Sequence, residues 1–155
     1  MPIPPFITDL RASIGNAPLW LSGVTAVVTR GSDLLLVQRA DTLQWTPVTG
    51  IVDPGEHPGV AARREVLEEA DVHVTIDRLA SVNVTRPITY TNGDQAQYLD
   101  LTFLCRWVSG DPFPADGENL EARWFPASSL PPISAEFADR IAGALSGDAA
   151  TRFLS

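Results

Sequence analysis

The sequence predicts a single α+β domain built on a mixed β-sheet. Its 155 residues have the length of one ordinary domain, without an internal repeat or a long linker. Segments rich in β-branched and aromatic residues outnumber amphipathic helical segments, and hairpin turns between them outnumber helical crossovers. We therefore expect residues 1–155 to form one domain, in which residues 1–19 are an N-terminal helical extension.

The first half of the chain predicts a helix, a hairpin, a short strand and a second helix. Phe6, Leu10 and Ile14 recur at helical spacing before a glycine, a residue that commonly ends helices. The β-rich segments 23–29 and 34–38 flank a short polar turn, as in a hairpin. The elements that follow are a strand at 51–52 and a helix at 58–70, which a Pro-Gly turn introduces.

The second half predicts four more strands and a C-terminal helix. The strongest hairpin signal in the chain is Asn92-Gly93, because this dipeptide favours the tight turns that join antiparallel strands. The predicted elements are strands at 72–76, 80–90, 95–108 and 122–125 and a helix at 134–145. We expect the helix at 58–70 to cover one face of the sheet.

The charge composition excludes several classes of reaction and partner. All 11 basic residues are arginine, so a lysine Schiff base and the lysine of a phosphate-binding P-loop are both impossible. The net charge of −8 argues against nucleic acid or an anionic membrane as a partner. An acidic protein that binds phosphates needs a metal ion between the two sets of negative charges.

The lone cysteine and the N-terminus bear on cellular location. Cys105 lies in an apolar segment, which predicts a small buried side chain rather than a nucleophile, and one cysteine cannot form an internal disulfide. The N-terminus lacks the basic region of a signal peptide, and no run of about 18 apolar residues occurs. These features predict a cytoplasmic protein without a membrane span.

Acidic residues are concentrated on the helix predicted at 58–70 and just before it. Four of the seven glutamates of the chain lie within 14 residues. At about 100° per residue, Glu65, Glu68 and Glu69 share an arc about 100° wide. The apolar positions expected on the opposite face are Val60, Ala62, Val66, Leu67 and Ala70. Like charges at this spacing destabilise a helix unless a cation lies among them, and Arg64 and a divalent metal ion are the two candidates. The alternative is a solvated acidic surface.

The spacing of these residues resembles a known signature. Gly50 is followed after five residues by Glu56, and after seven more by the run Arg-Glu-Val-Leu-Glu-Glu at 64–69. This pattern resembles the signature of the Nudix hydrolase superfamily, G-x5-E-x7-R-E-U-x-E-E-x-G-U, in which U is aliphatic. Residues 50–72 fit at every position but one, and the order of elements along residues 20–145 resembles the α/β/α sandwich of that family. Within the family, the chain looks most like the MutT and ADP-ribose pyrophosphatase type.

The resemblance implies a metal-dependent hydrolase with a defined set of site residues. The implied reaction is hydrolysis of the diphosphate bond in a nucleoside diphosphate linked to another group, either an ADP-ribose-like compound or a nucleoside triphosphate. The implied cofactor is Mg²⁺ or Mn²⁺, and carboxylate oxygens suit these hard cations. The expected metal ligands are Glu65, Glu68, Glu69 and the backbone carbonyl of Thr49, with Glu56 in the outer part of the site. The expected catalytic residues are Glu69, Glu65, Arg64 and Glu118, and the expected substrate contacts are Arg39, Gly50 and Tyr98.

The sequence departs from the family pattern at two positions. Asp71 replaces the glycine that ends the motif helix in the left-handed region, and we expect a small stability cost because aspartate tolerates that geometry. Thr49 replaces another glycine, next to the expected metal, and its β-branched side chain restricts the local backbone. The second departure leaves the loop geometry, and with it the substrate, open.

A distal loop is expected to supply a further carboxylate. In many members of the family such an acid precedes a strand that bears an aromatic residue, here Trp124. The candidates are Asp116, Glu118 and Glu121. We prefer Glu118, because it lies in the loop itself and can move over a bound substrate.

Two further possibilities concern function and assembly. A non-catalytic nucleotide-binding or regulatory module of the same fold is the alternative to an enzyme, and its expected sign is the loss of a metal ligand. All the expected carboxylate ligands are present. The N-terminal extension is expected to be a lid or part of a homodimer contact rather than part of the sandwich core.

Overall fold

The computed structural model describes residues 3–155 and contains the expected helices and a mixed sheet. Met1 and Pro2, which open the expected extension, lie outside the described residues. The helices are α1 (Pro5–Ile14), α2 (Pro58–Ala70) and α3 (Ala135–Leu145). The strands are β1 (Leu19–Arg30), β2 (Asp33–Arg39), β3 (Trp45–Thr46), β4 (Val48–Ile51), β5 (His73–Val84), β6 (Ile88–Thr89), β7 (Gln95–Ser109), β8 (Asn119–Pro126) and β9 (Arg152–Phe153).

Within residues 3–155 all nine strands belong to one sheet. Its main path has the order β3-β2-β1-β7-β5-β9, while β4, β6 and β8 pair with β1, β7 and β2 respectively. The long central strands β1 and β7 are parallel, whereas the pairs β1–β2 and β5–β7 are antiparallel. The sheet is therefore mixed, as the sequence predicts.

Helices cover both faces of this sheet. In β1, Val24, Ala26 and Val28 belong to the apolar cluster that packs under α2. Val27 points to the other face, because successive side chains of a strand alternate, and it lies in the cluster that contains Ile141 of α3. These two clusters on opposite faces make the α/β/α sandwich that the resemblance implies.

Helix α2 has the predicted boundaries. Pro58 occupies its first turn, where the missing N–H group would have no helical partner in any case. Asp71 follows the helix with φ 55° and ψ 36°, in the left-handed region, and its N–H donates to the carbonyl of Leu67 at 3.0 Å. The expectation that aspartate takes the place of glycine in this conformation is confirmed.

Several strand boundaries differ from those predicted. The segment expected as separate strands at 72–76 and 80–90 is largely one strand, β5, because register shifts near Ile76 and Leu79 keep it paired with β7. The hairpin at Asn92-Gly93 is confirmed, since β6 pairs with β7 across it. Strand β4 begins earlier than predicted, and the sequence did not indicate β3 or β9, whose two residues are too few for a periodic signal.

Helix α1 packs against the sheet in a cluster of its own. Ile7 is buried with Leu21 and Ala96, apart from the two main clusters. Arg11, near the end of the helix, bonds to β7: its Nη2 atom donates to the Gln95 carbonyl at 2.7 Å. The expected amphipathic helix is therefore present, and its role as a lid or dimer contact stays a prediction. No helix within residues 3–155 is long and apolar enough to cross a membrane.

Cys105 is fully buried in the cluster under α2. Burial raises the pKa of its thiol to about 12, so the thiol is protonated at neutral pH. The interpretation of this residue as a small buried hydrophobe is confirmed.

Candidate active site

Two carboxylates of α2 are buried against the sheet rather than solvated. Glu65 is 0% and Glu69 is 3% exposed, and Val66 is buried beside them. The expected separation of acidic and apolar faces is therefore confirmed only in part: Ala62, Val66 and Ala70 are buried, whereas Val60 and Leu67 are exposed, at 53% and 38%. The burial excludes a solvated acidic surface at Glu65 and Glu69.

Arg64 connects the acidic residues on one side of α2. Its Nε and Nη2 atoms donate to the two oxygens of Glu56 at 2.8 and 2.9 Å, a bidentate pair. Its Nη1 atom donates to Glu65 Oε1 at 2.8 Å and to Glu68 Oε2 at 3.2 Å. The hydrogen bonds from Arg64 hold the pKa of Glu56 below its usual value. Arg64 thus fixes the position of Glu56 and Glu65, while Glu68 lies at the exposed edge of this group.

Gly50 lies directly against the carboxylate of Glu65. Strand β4 pairs with β1 so that Gly50 is opposite Val24, and a Cβ atom at this position would overlap Cγ, Cδ and Oε1 of Glu65. Only glycine leaves room for the acidic side chain here. The neighbouring Thr49 lies in the same extended strand, a conformation that suits a β-branched residue, so its presence does not strain the backbone.

The distal loop places two carboxylates beside Glu69. One carboxylate oxygen from each of Glu69, Asp116 and Glu118 lies within 4.8 Å of the others. The sequence favours Glu118 over Asp116, and in the structure both carboxylates lie beside Glu69. Glu121, the third candidate, lies on β8, is exposed, and pairs with Arg123 at 3.2 Å.

The backbone around Glu118 is anchored. The N–H of Phe113 donates to the carbonyl of Ala70 at the end of α2, at 3.0 Å. The N–H of Glu118 donates to Asp116 Oδ1 at 3.1 Å, and its carbonyl accepts from the N–H of Ala40 at 2.9 Å. The sequence predicts that Glu118 can move over a bound substrate, whereas in the structure these bonds already hold it beside Glu69.

The environment of the buried carboxylates favours their protonated forms. Mainly through burial, the pKa of Glu65 is raised to about 7 and that of Glu69 to about 8. At Glu69 the hydrogen bond from Asn119 opposes this rise, while the neighbouring charges of Glu65, Glu118 and Asp116 contribute to it. Glu65 Oε2 is buried and accepts no hydrogen bond from any residue in 3–155. A group of hard oxygen ligands with excess negative charge fits Mg²⁺ or Mn²⁺.

Asn119 is a site residue that the sequence analysis missed. Its Nδ2 atom donates to Glu69 Oε2 at 3.1 Å, and the side chain is 5% exposed. An asparagine at the start of a strand is ordinary in a sequence. Its contact with Glu69 depends on the pairing of distant elements, so no local signal indicates it.

The expected substrate contacts Arg39 and Tyr98 have different surroundings. Arg39 ends β2 opposite Asn119, and its Nε and Nη2 atoms donate to Asp41 at 2.9 and 2.8 Å. These bonds raise the pKa of Arg39 above its ordinary value. The hydroxyl of Tyr98 lies 2.7 Å from that of Tyr90, and its ring packs against the cluster under α1. Arg39 is therefore close to the acidic group, whereas Tyr98 belongs to the packing of α1.

Comparison with known families agrees with this architecture. The NUDIX domain family matches residues 20–143, which span β1 to α3 and include every carboxylate of the site. The chain therefore belongs to the Nudix hydrolase family.

Similar curated proteins are named as hydrolases. The chain is 31% identical over 129 residues to an NAD-capped RNA hydrolase, NudC, from Pseudomonas aeruginosa. The aligned residues make up 81% of this chain and 43% of that protein. It is 33% identical over 105 residues to the human 8-oxo-dGDP phosphatase NUDT18. Here the aligned residues make up 64% of this chain and 30% of that protein. The chain thus spans less than half the length of these relatives.

Solved structures share the fold. An ADP-ribose pyrophosphatase from Streptococcus suis superimposes with a TM-score of 0.67 at 23% identity, over 85% of this chain and 96% of that one. A NUDIX hydrolase from Nitrosomonas europaea superimposes with a TM-score of 0.63 at 25% identity, over 78% and 67% of the two chains. The sandwich predicted from the sequence is confirmed.

Proposed function

We propose that this chain catalyses the metal-dependent hydrolysis of the diphosphate bond in a nucleoside diphosphate linked to another group. The observation that supports the proposal most strongly is the burial of Glu65 and Glu69, the second of which lies beside Asp116 and Glu118. Burying several carboxylates together is costly, and such clusters with raised pKa values are typical of functional sites. Membership of a hydrolase family favours this reading over a non-catalytic module.

The residues that would hold Mg²⁺ or Mn²⁺ are mainly those of the buried group. Glu65 and Glu69 are the proposed ligands from this group, and the carboxylates of Asp116 and Glu118 lie beside Glu69. The proposal retains Glu68, the Thr49 carbonyl and, in the outer part, Glu56. A bound divalent cation would offset the negative charge of carboxylates and substrate phosphates and assist formation of the attacking hydroxide.

The remaining steps belong to side chains of this chain. Glu118 is the proposed general base, which accepts a proton from the attacking water. Arg64 keeps Glu65 in place through its hydrogen bond at 2.8 Å. Arg39 is the proposed phosphate contact, because its positive charge lies near Glu69 and Glu118, where the phosphates of the substrate would bind. Gly50 and Tyr98 stay predicted substrate contacts.

The names of the relatives narrow the substrate class without fixing the substrate. NAD-capped RNA and 8-oxo-dGDP are named as substrates of those proteins, and each contains a nucleoside attached to a diphosphate. The proposed substrate class here is therefore a nucleoside diphosphate derivative. The sequence-based expectations of a cytoplasmic location and of no nucleic-acid partner remain predictions, and the second is tested by including a capped RNA among the candidates.

A substrate panel tests the proposal. The full chain is incubated with ADP-ribose, NAD⁺, a nucleoside triphosphate, 8-oxo-dGDP and a short NAD-capped RNA, each with Mg²⁺ and with EDTA. Chromatography then identifies the products. We expect cleavage of a diphosphate bond in at least one compound with Mg²⁺ and none with EDTA. A folded, Mg²⁺-binding protein that binds nucleotides and cleaves none of them would instead support the non-catalytic module.

A further inference from the structure

The start of β8 contains an irregularity that turns Asn119 toward the active site. Strand β8 pairs with β2 so that Glu121 is opposite Gln38, whereas Asn119 is opposite Arg39. Leu120 is thus an extra residue in the ladder, and it is 52% exposed. Such bulges change the direction in which a strand presents its side chains and often occur next to active sites.

The side-chain amide of Asn119 is buried, and only its NH₂ group has a hydrogen-bond partner among residues 3–155. Its Nδ2 atom donates to Glu69 Oε2 at 3.1 Å, in a hydrogen bond that is itself buried. Its Oδ1 atom is buried and accepts no hydrogen bond from residues 3–155. A buried acceptor without a donor costs about 1–3 kcal/mol, and packing alone does not explain why this position carries one.

The orientation of the amide is fixed by chemistry. A bound cation requires the ionised form of Glu69, whose carboxylate oxygens only accept hydrogen bonds, so in that state the NH₂ group of Asn119 must face Glu69. The amide oxygen Oδ1 is bonded to the same carbon as this NH₂ group. It therefore lies close to the Nδ2 atom that donates to Glu69 Oε2. A hydrated cation bound beside Glu69 carries water molecules that can donate to it.

We propose that Asn119 is a positioning residue, which fixes the rotation of the Glu69 carboxylate beside Asp116 and Glu118 and accepts a hydrogen bond from water in this acidic group. The inference rests on the proposed metal-dependent function. Partners that orient a metal ligand in this way commonly contribute 10- to 100-fold to metal affinity or activity. Asn119 contributes here by limiting the orientations that Glu69 adopts.

Two variants test this role. Asn119→Leu removes both the donor and the unsatisfied acceptor and keeps the number of heavy atoms and the branching at Cγ. Asn119→Asp keeps the shape and replaces the donor by a second acceptor. The matched control is Asn92→Asp in the exposed turn between β6 and β7, because Asn92 Nδ2 also donates to a carboxylate, Asp94 Oδ2 at 3.0 Å, and is not part of the acidic group. Each protein is titrated with Mn²⁺, with free Mn²⁺ followed by electron paramagnetic resonance, and its unfolding is measured in EDTA.

The expected result separates positioning from structural support. Asn119→Leu should bind Mn²⁺ about tenfold or more weakly. Its melting temperature in EDTA should stay near that of the parent, because removal of the unsatisfied Asn119 oxygen offsets the loss of the donor to Glu69 Oε2. Both Asn119 variants should lose at least about tenfold in kcat, with KM for the nucleotide changed much less. The control should match the parent in all these quantities.

Opposite outcomes have distinct meanings. If Asn119→Leu binds Mn²⁺ like the parent and both variants keep kcat, the positioning role is wrong while the proposed function stands. If Asn119→Leu does not fold, a parent-like kcat in Asn119→Asp overturns the inference. If the parent itself binds no Mn²⁺ and cleaves no nucleotide, the proposed function fails and the inference fails with it.

Discussion

Substitution of Gly50 by alanine should disrupt the site through a single methyl group. The added Cβ would overlap the Glu65 side chain, which is 0% exposed and held by Arg64 at 2.8 Å. Because the added Cβ would lie much closer to the Glu65 side chain than non-bonded atoms can approach, either the carboxylate or strand β4 must shift. Overpacking of this kind costs roughly 1–3 kcal/mol, which in a domain of this size lowers the melting temperature by roughly 2 to 12 °C.

A second glycine provides the matched control. Gly59 lies in the first turn of α2, where the nearest atom to an added Cβ is Ile76 Cγ1 at 3.9 Å, an ordinary contact. Gly59→Ala should therefore keep or raise the stability, by about 0.5–1 kcal/mol, because alanine favours the helix.

Calorimetry in EDTA and Mn²⁺ titration distinguish the two variants. Gly50→Ala should melt at a lower temperature than the parent and bind Mn²⁺ about tenfold or more weakly, because the Glu65 carboxylate is displaced. Gly59→Ala should match or exceed the parent in both measurements. Equal melting temperatures and equal Mn²⁺ affinities for the two variants would refute the reasoning that Gly50 makes room for Glu65.

Three further predictions concern pH, the distal acid and the N-terminus. The pKa values of Glu65 and Glu69, about 7 and about 8, lie above the value of about 4.5 in the unfolded chain. In this pH range the folded metal-free protein therefore binds more protons than the unfolded chain, and its melting temperature should fall as the pH rises from about 5 to 8. The fall should be smaller in Glu69→Gln. A melting temperature that rises with pH in the parent would contradict this. Glu118→Gln should lower kcat by about 10² with unchanged thermal stability, whereas Glu121→Gln should not; the reverse result would place the base on β8. Deletion of residues 1–15 should change the mass in solution or KM, and a truncated protein unchanged in both would reject a lid or dimer role.

The sequence predicts the fold well where its signals are local. The boundaries of α2 follow from Pro58, and its left-handed end follows from the tolerance of Asp71 for that conformation. The hairpin at Asn92-Gly93 is equally local. By contrast, β9 pairs with β5 through two residues only, and nothing in its sequence indicates that contact.

In the candidate site, too, the sequence predicts features that depend on neighbouring residues and misses contacts between residues far apart in the chain. The spacing of Glu65 and Glu69 on α2 indicates a joint role, but helical periodicity alone placed apolar residues opposite them and did not reveal their burial. The anchoring of Glu118 and the bond from Asn119 to Glu69 require β8 to lie next to β2 and α2. Such contacts between residues far apart in the chain become visible only in the folded structure.

The metal-dependent turnover of the parent and of Glu69→Gln is the measurement on which the proposed chemistry depends. Both proteins are assayed at saturating Mg²⁺ with the best substrate of the panel, and again in EDTA. We expect Glu69→Gln to lower turnover by at least about a hundredfold, because it removes a carboxylate from the proposed metal site, and EDTA to abolish the activity of the parent. Comparable rates in the two proteins, or activity that persists in EDTA, would contradict the assignment of hydrolysis to a metal ion held by these buried glutamates.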